Sequence, residues 1–400
     1  MNFRFIEGIC LSGRYFSQTL FFQALLIPFL LCPFVGPAGA ESDADLEAQI
    51  GQMLLIGFRG SEVGESSQIV QDIRAGRIGG VILFDYDVAL KSPVRNVASP
   101  EQVQELIADL QAADPTMPLF VAIDQEGGRV SRLKEKYGFP PTVSQGWLGE
   151  QNDLAITARH ARQTAQTLAE LGINVNLAPV VDVNVNPGNP VIGTLERSFS
   201  DDPKVVADHA LEVLIAHQIE GVLSALKHFP GHGSSAEDSH LGFTDVTRTW
   251  SEIELVPYRE ILGSSGADMI MTAHVFNAAL DPDWPATLSR STIQGLLRDQ
   301  MGYEGVVISD DMQMQAITDH YSLETALERT IQAGADIIIF GNNLTYDEHI
   351  AAKAINTILK LVQEGRISPL RIKESFHRIM FVKNRLIDRG DKECRLCDVH

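Results

Sequence analysis

The sequence predicts an α/β chain folded as a single (β/α)8 TIM-type barrel, and three observations predict it. Short apolar runs, each long enough for a strand buried on both faces, recur about eight times along the chain. Helical or loop stretches separate them, which is the alternation of a parallel sheet. Six of the runs also end in a functional side chain, which a barrel's C-terminal rim calls for and one switch-point crevice would not use. An open doubly wound sheet is the alternative that the first two observations leave standing.

In chain order, residues 1–40 read as a secretory signal peptide. Arg4 and Arg14 precede the apolar run TLFFQALLIPFLLCPFV, and Ala38-Gly39-Ala40 has the small-x-small pattern of a signal peptidase site. The run holds Pro28 and Pro33 and is shorter than the roughly 20 residues a membrane span needs. Leu31 precedes Cys32 where a lipoprotein signal needs a small residue, so no lipid anchor and no membrane association after cleavage are expected. The mature chain begins near Glu41 and is expected to be exported, periplasmic or secreted.

Residues 41–387 carry the barrel. The first strand candidates are MLLIGF (Met53–Phe58) and GGVILF (Gly79–Phe84), followed by a helix at SPEQVQELIADLQAA with Ser99 as N-cap and Pro100 at the first helical position. PLFVAI (118–123) is followed by Asp124, NVNLAPVV (174–181) by Asp182, and GVLSAL (221–226) by Lys227 and His228. DMIMTA (268–273) is followed by His274, GVVIS (305–309) by Asp310, and DIIIF (336–340) by Gly341 and Asn342. No linker, repeat or low-complexity tract divides this stretch. Residues 388–400 read as a charged tail whose CRLC holds Cys394 and Cys397; a lone CxxC offers two of the four ligands zinc takes, and a small terminal disulfide is the plainer expectation.

A formal net charge of −20 disfavours nucleic acid and anionic lipid as partners, and an anionic substrate would need a local cluster of Arg and Lys. With Trp147, Trp250 and Trp284 the only tryptophans, no extended sugar-stacking platform is legible.

Two stretches concentrate chemistry. KHFPGHGSSAEDSH (Lys227–His240) holds three histidines and reads as a metal site, an acid/base loop or a polar turn. Pro230, Gly231 and Gly233 oppose a helix, so His228 and His232 do not form a ligand pair on one helical face. Asp238 is two residues before His240, well placed to accept its ring N–H and support the imidazolium form. In ISDDMQM (Ile308–Met314), adjacent carboxylates on an extended chain point in different directions, so one can face the barrel mouth while backbone donors hold the other. Capping the next helix is the plain alternative for such an Asp.

IDQEGGRVSR (123–132), NVNLAPVVDVN (174–184), ERSFS (196–200), KHFPGHG followed by DSH, and SDDM together resemble the family-3 glycoside hydrolases, and more narrowly their NagZ-type β-N-acetylglucosaminidase (β-N-acetylhexosaminidase) branch. The resemblance runs from about Gly51 to Gly341. It implies Asp310 as the nucleophile, His240 as general acid and then base, and Asp238 as its partner. Asp124, Arg132, Arg197, Lys227 and His228 match positions that hold the sugar's hydroxyls. The implied reaction is retaining removal of terminal GlcNAc from muropeptides or chitooligosaccharides through a covalent glycosyl-enzyme, with no cofactor and no metal, by a monomer lacking the second α/β domain of longer members. Muropeptide-like fragments are the first expectation. A β-glucosidase, a GlcNAc phosphorylase, a metal-dependent barrel hydrolase and a non-catalytic periplasmic sugar-binding protein are the rivals. Ser234 departs from the pattern, since an acidic residue often follows GHG.

Overall fold

The computed structural model describes residues 43–264 and 266–397, the last eleven of these as backbone only. The signal segment 1–40 and the side chains of Cys394 and Cys397 lie outside what it describes. Eight parallel strands close on themselves: β1 (Leu54–Gly57), β2 (Gly80–Leu83), β3 (Phe120–Ile123), β4 (Val175–Asn176), β5 (Leu223–Phe229), β6 (Met269–Thr272), β7 (Val306–Asp311) and β8 (Ile337–Phe340). Each pairs with its neighbour in sequence, and β1 pairs with β8 to close the barrel. Closure is tight there: a Cβ on Gly57 would stand 1.8 Å from the Gly341 carbonyl oxygen, so only glycine lets these backbones approach.

The strands are buried on both faces, as their unbroken apolar runs require. The helix Pro100–Ala112 shows how the outer layer is held. Ser99 caps it by accepting from the Gln102 N–H, and Val103, Leu106, Ile107 and Leu110 form the i, i+3, i+4, i+7 stripe it buries. The last helix, Pro369–Cys397, continues without a break past Leu386. Among the described residues no helix is long and apolar enough to cross a membrane.

Three strands depart from their sequence runs, and each departure shapes the barrel mouth. The regular strand β4 ends at Asn176, and beyond it the chain stays tied to its neighbours irregularly: the Leu177 N–H donates to the Ile123 carbonyl, the Ala178 and Pro179 carbonyls accept from the Ala225 and Lys227 N–H groups, and Val180 forms a bridge with Lys227. Strand β5 runs on through Lys227 and His228, and β7 through Asp310 and Asp311, so these four residues lie inside strands and not after them. Each strand accommodates them with a bulge. Leu226 and Phe229 pair with Ile270 and Thr272, and Ile308 and Asp311 pair with Ile337 and Ile339, so three steps face two. An extra residue breaks the in-out alternation and re-aims a side chain. Consecutive residues, Lys227 with His228 and Asp310 with Asp311, thereby line the same cavity.

Candidate active site

The mouth of the barrel opens into a cavity of about 550 Å³. Its floor is a chain of charges drawn from three strand ends. Lys227 Nζ donates to Asp124 Oδ1 at 2.8 Å and meets Glu126 Oε1 at 2.6 Å. Arg132 holds the other Asp124 oxygen at 3.1 Å. Arg197 grips Glu126 with two parallel bonds of 2.7 and 2.8 Å, and its Nη1 donates to the Val191 carbonyl. Burial pushes the Asp124 and Glu126 carboxyls up, but the cations beside them, Lys227 and Arg197 above all, outweigh it and hold both well below the ordinary range. Burial likewise pulls Lys227 down while Asp124 and Glu126 more than restore it, so it stays firmly cationic. Every member depends on the others, because a buried charge without its partner costs several kcal/mol, on the order of 3–5.

The three histidines of the Lys227–His240 stretch go to three different tasks. His228 bonds Asp182 through Nδ1 at 2.6 Å, and Arg197 Nη2 stands 3.2 Å from its Nε2. Since the guanidinium can only donate, Nε2 accepts, and the ring proton sits on Nδ1 facing Asp182. His232 is pinned between the Ser235 and Ser239 hydroxyls, and burial drives its pKa down to about 4. It is a neutral post under the loop. His240 alone reaches solvent, with Nδ1 on Asp238 Oδ1 at 2.8 Å. Among the described residues no set of three His, Cys, Asp or Glu is disposed to hold a metal ion.

The turn that carries His240 is fixed from below. A Cβ on Gly233 would lie 1.7 Å from the Val183 carbonyl oxygen, and the Gly233 N–H donates to the buried Glu254 carboxyl at 2.8 Å. Further along, Thr244–Asp245 pairs in parallel with Val275–Phe276, tying the loop after β5 to the loop after β6. Burial pulls the His240 pKa down, but the Asp238 hydrogen bond and the charges of Asp310 and Asp238 prevail and raise it.

Across the cavity, the two aspartates of β7 divide as the sequence allows. Asp311 Oδ1 accepts from the Gly341 and Gln313 N–H groups at 2.9 and 3.0 Å, and burial raises its pKa to about 6. Among the described residues Asp310 accepts a hydrogen bond only from the Asp311 N–H. Burial pushes its pKa up, but the neighbouring imidazoles, His274 first, and the Asp311 N–H outweigh it and hold the carboxyl below its ordinary range. His274 is placed for this by donating Nε2–H to the Asp311 carbonyl, with Nδ1 on the Thr287 hydroxyl.

All eight residues singled out from the sequence, Asp310, His240, Asp238, Asp124, Arg132, Arg197, Lys227 and His228, line this one cavity. Sequence reasoning missed Glu126, which lies two residues after Asp124 in the same IDQEGG motif, and it noted Asp182 without its partner His228. It also missed the rim formed by Asp85, Tyr86, Val88, Asn343 and Leu344. Nothing local marks a rim residue, since Val88 meets Asn343 across 255 positions of sequence.

The pattern of the glycosyl hydrolase family 3 N-terminal domain matches residues 45–382. The chain is 39% identical over 326 residues to beta-hexosaminidase A of Pseudoalteromonas piscicida, covering 72% of this chain and 52% of that protein. This chain thus spans about half the length of that relative. It is 36% identical over 324 residues to a beta-hexosaminidase of Stenotrophomonas maltophilia strain K279a, covering 78% and 91%. Among solved structures, a glycoside hydrolase family 3 beta-N-acetylglucosaminidase from Paenibacillus sp. FPU-7 is similar with a TM-score of 0.78 at 37% identity, covering 86% of this chain and 62% of that one. A beta-N-acetylhexosaminidase from Beutenbergia cavernae DSM 12333 is similar with a TM-score of 0.75 at 28% identity, covering 85% and 98%.

Proposed function

The chain belongs to glycosyl hydrolase family 3, and from that premise we propose that it is a retaining, exo-acting β-N-acetylglucosaminidase that removes terminal GlcNAc from oligosaccharides. The observation that carries the reading is the convergence of an ionised, sparsely bonded carboxylate, Asp310, and a solvent-reaching His–Asp pair, His240 with Asp238, on one cavity floored by paired charges. In this reading Asp124, Arg132 and Lys227 grip the sugar's hydroxyls, with Arg197 and His228 beside them, and the closed floor stops the sugar chain after one residue.

The steps follow from the geometry. Asp310 attacks the anomeric carbon while His240 delivers its Nε2 proton to the glycosidic oxygen; the bond to the aglycone breaks and the aglycone leaves as an alcohol. The resulting glycosyl ester is opened by water, which gives its proton back to His240 as its oxygen bonds the same carbon. Asp310 is released as carboxylate, and two inversions retain the configuration. Asp238 keeps Nδ1 occupied throughout, so Nε2 alone faces the reaction. Each role uses this chain's own groups. On the strength of the Arg4–Ala40 segment, the same reading places the mature enzyme outside the cytoplasm, a point that N-terminal sequencing of the expressed protein checks.

The test is hydrolysis of 4-nitrophenyl N-acetyl-β-glucosaminide beside the corresponding glucoside, with Asp310→Ala and His240→Ala. Turnover of the acetamido substrate, lost with Asp310→Ala and crippled with His240→Ala, is expected. A wild type silent on both glycosides would overturn the reading and bring the sugar-binding protein forward; preference for the glucoside would replace it with a β-glucosidase.

A further inference from the structure

We propose that the leaving-group side of this cavity is built for an electroneutral aglycone, a further GlcNAc of a β-linked oligomer, and discriminates against an aglycone that bears a carboxylate, such as a muramyl residue. This deepens the glycosidase reading and rests on it, and it reverses the order of substrates expected from the sequence.

The first observation is the charge of the wall. Four lysine and arginine side chains line the cavity, Arg132, Lys134, Arg197 and Lys227, together with the His240 imidazole whose pKa is raised by Asp238 and Asp310, and six carboxylates line it with them. Every one of the four is already paired: Arg132 and Lys227 with Asp124, Arg197 and Lys227 with Glu126, and Lys134 with Asp85. Among the described residues the wall therefore offers no cation without a carboxylate partner, though Arg132 keeps an unbonded Nε beside its Asp124 contact. Arg129, on the same loop as Glu126 and Arg132, does not line the wall, and its Nη1 donates to the Thr194 carbonyl. An aglycone carboxylate entering here would meet an excess of like charge, and specificity of this kind comes from such a repulsive element as much as from any attraction.

The second observation is the lip. Tyr86 and Val88 are 41% and 43% exposed and line the cavity at its rim, with the half-buried Leu344 beside them. Exposed apolar side chains on a loop usually accompany mobility, yet this loop is clamped. Beneath it the buried Asp87 carboxylate accepts from Arg59, Arg95 and the Leu90 N–H, while Asp87 and Ser92 exchange two backbone hydrogen bonds. Asn343 accepts from the Val88 N–H and donates to the Tyr86 carbonyl, tying the loop after β2 to the loop after β8. A hydrogen-bonded ledge of apolar side chains, set beside the Asp85–Lys134 pair and continuous with a charged sugar site, suits the face of a pyranose ring, whose C–H groups pack on an aromatic or branched aliphatic side chain.

The experiment compares two disaccharides with the same linkage, GlcNAc-β-1,4-GlcNAc and GlcNAc-β-1,4-MurNAc, and adds the methyl ester of the second. Wild-type kcat/KM is expected to favour the neutral disaccharide over the acid by about tenfold or more. The ester is expected to recover most of that difference, which separates charge from the bulk of the lactyl group. Val88→Lys, which supplies an unpaired cation at the lip, is expected to narrow the neutral-to-acid ratio. Equal or better cleavage of the acid by the wild type would overturn the inference, and so would an ester no better than the acid. Failure of the underlying glycosidase reading looks different: then 4-nitrophenyl N-acetyl-β-glucosaminide is not turned over either.

Discussion

Replacing Asp238 by Asn removes one negative charge 2.8 Å from His240 Nδ1 and keeps an amide oxygen to accept the same hydrogen bond. The pair is open to water, His240 being 50% and Asp238 25% exposed, so the Coulomb interaction belongs near the aqueous limit. At a separation of 2.8 Å and a dielectric of about 80 it amounts to ~1.5 kcal/mol, or about one pH unit of His240 acidity. Removing an anion lowers the pKa of a cationic acid. The alkaline limb of the kcat/KM profile, which reports the acid form of His240, is therefore expected to move about one unit toward acid. The assay uses two aryl N-acetyl-β-glucosaminides. Phenolate is a poor leaving group and needs the proton, so the phenyl glycoside shows the shifted limb; 4-nitrophenolate leaves with little assistance, so its first step is spared. An alkaline limb that stays in place, or an equal loss on both substrates at every pH, would refute the assignment of Asp238 as the charge that sustains His240.

Three other outcomes follow from the same geometry. Glu126→Gln leaves the buried Arg197 and Lys227 without their shared carboxylate and is expected to lower the unfolding free energy by about 3 kcal/mol or more, read from urea denaturation, and to raise KM as the floor loosens. Glu254 is pushed by burial from 4.5 up to about 7, so the folded chain holds a proton that the unfolded chain has lost; this group's contribution to stability falls as pH rises from about 4.5 to about 7 and does not return above that. Glu254→Gln removes the effect, and the melting temperature of the variant relative to wild type is expected to be higher at pH 8 than at pH 5. Gly233→Ala drives a Cβ toward the Val183 carbonyl and is expected to displace the His240 loop, with a fall in activity larger than the fall in melting temperature.

The barrel was legible because burial on both faces leaves continuous apolar runs, and because a polar residue directly after such a run, as with Asp124 after FVAI, has only the rim to occupy. The bulges were not legible. Whether Lys227 and Asp310 stand inside or after their strands depends on register against β6 and β8, a relation that no single run contains. The same holds for charge partners. Lys227 meets Asp124 across 103 positions and His228 meets Asp182 across 46, so sequence marks each residue as polar at a strand end and is silent on which carboxylate answers which cation. Glu126 escaped notice because its role exists only once Arg197 has been brought to it from 71 positions away. The aglycone lip is the extreme case: Tyr86 and Val88 are ordinary loop residues until Asn343 and Arg95 hold them still.

The cavity sets two kinds of ionisable group side by side, and their difference bears on how one histidine serves both halves of the proposed reaction. On the floor, Asp124, Glu126 and Lys227 are locked in their charged forms by one another, so their charges do not change at neutral pH and the sugar meets a constant field. At the opposite wall the charge of Asp310 is itself one of the influences that raise the His240 pKa. That charge is present while His240 must act as an acid. It vanishes when Asp310 becomes a neutral glycosyl ester, and with it goes part of the support for the imidazolium. His240 is then the better base at the moment water has to be activated, and the charge returns with the free carboxylate to re-arm the acid for the next sugar. Asp238 supplies a steady contribution through the cycle and Asp310 a pulsed one, so the two aspartates beside one imidazole are not redundant.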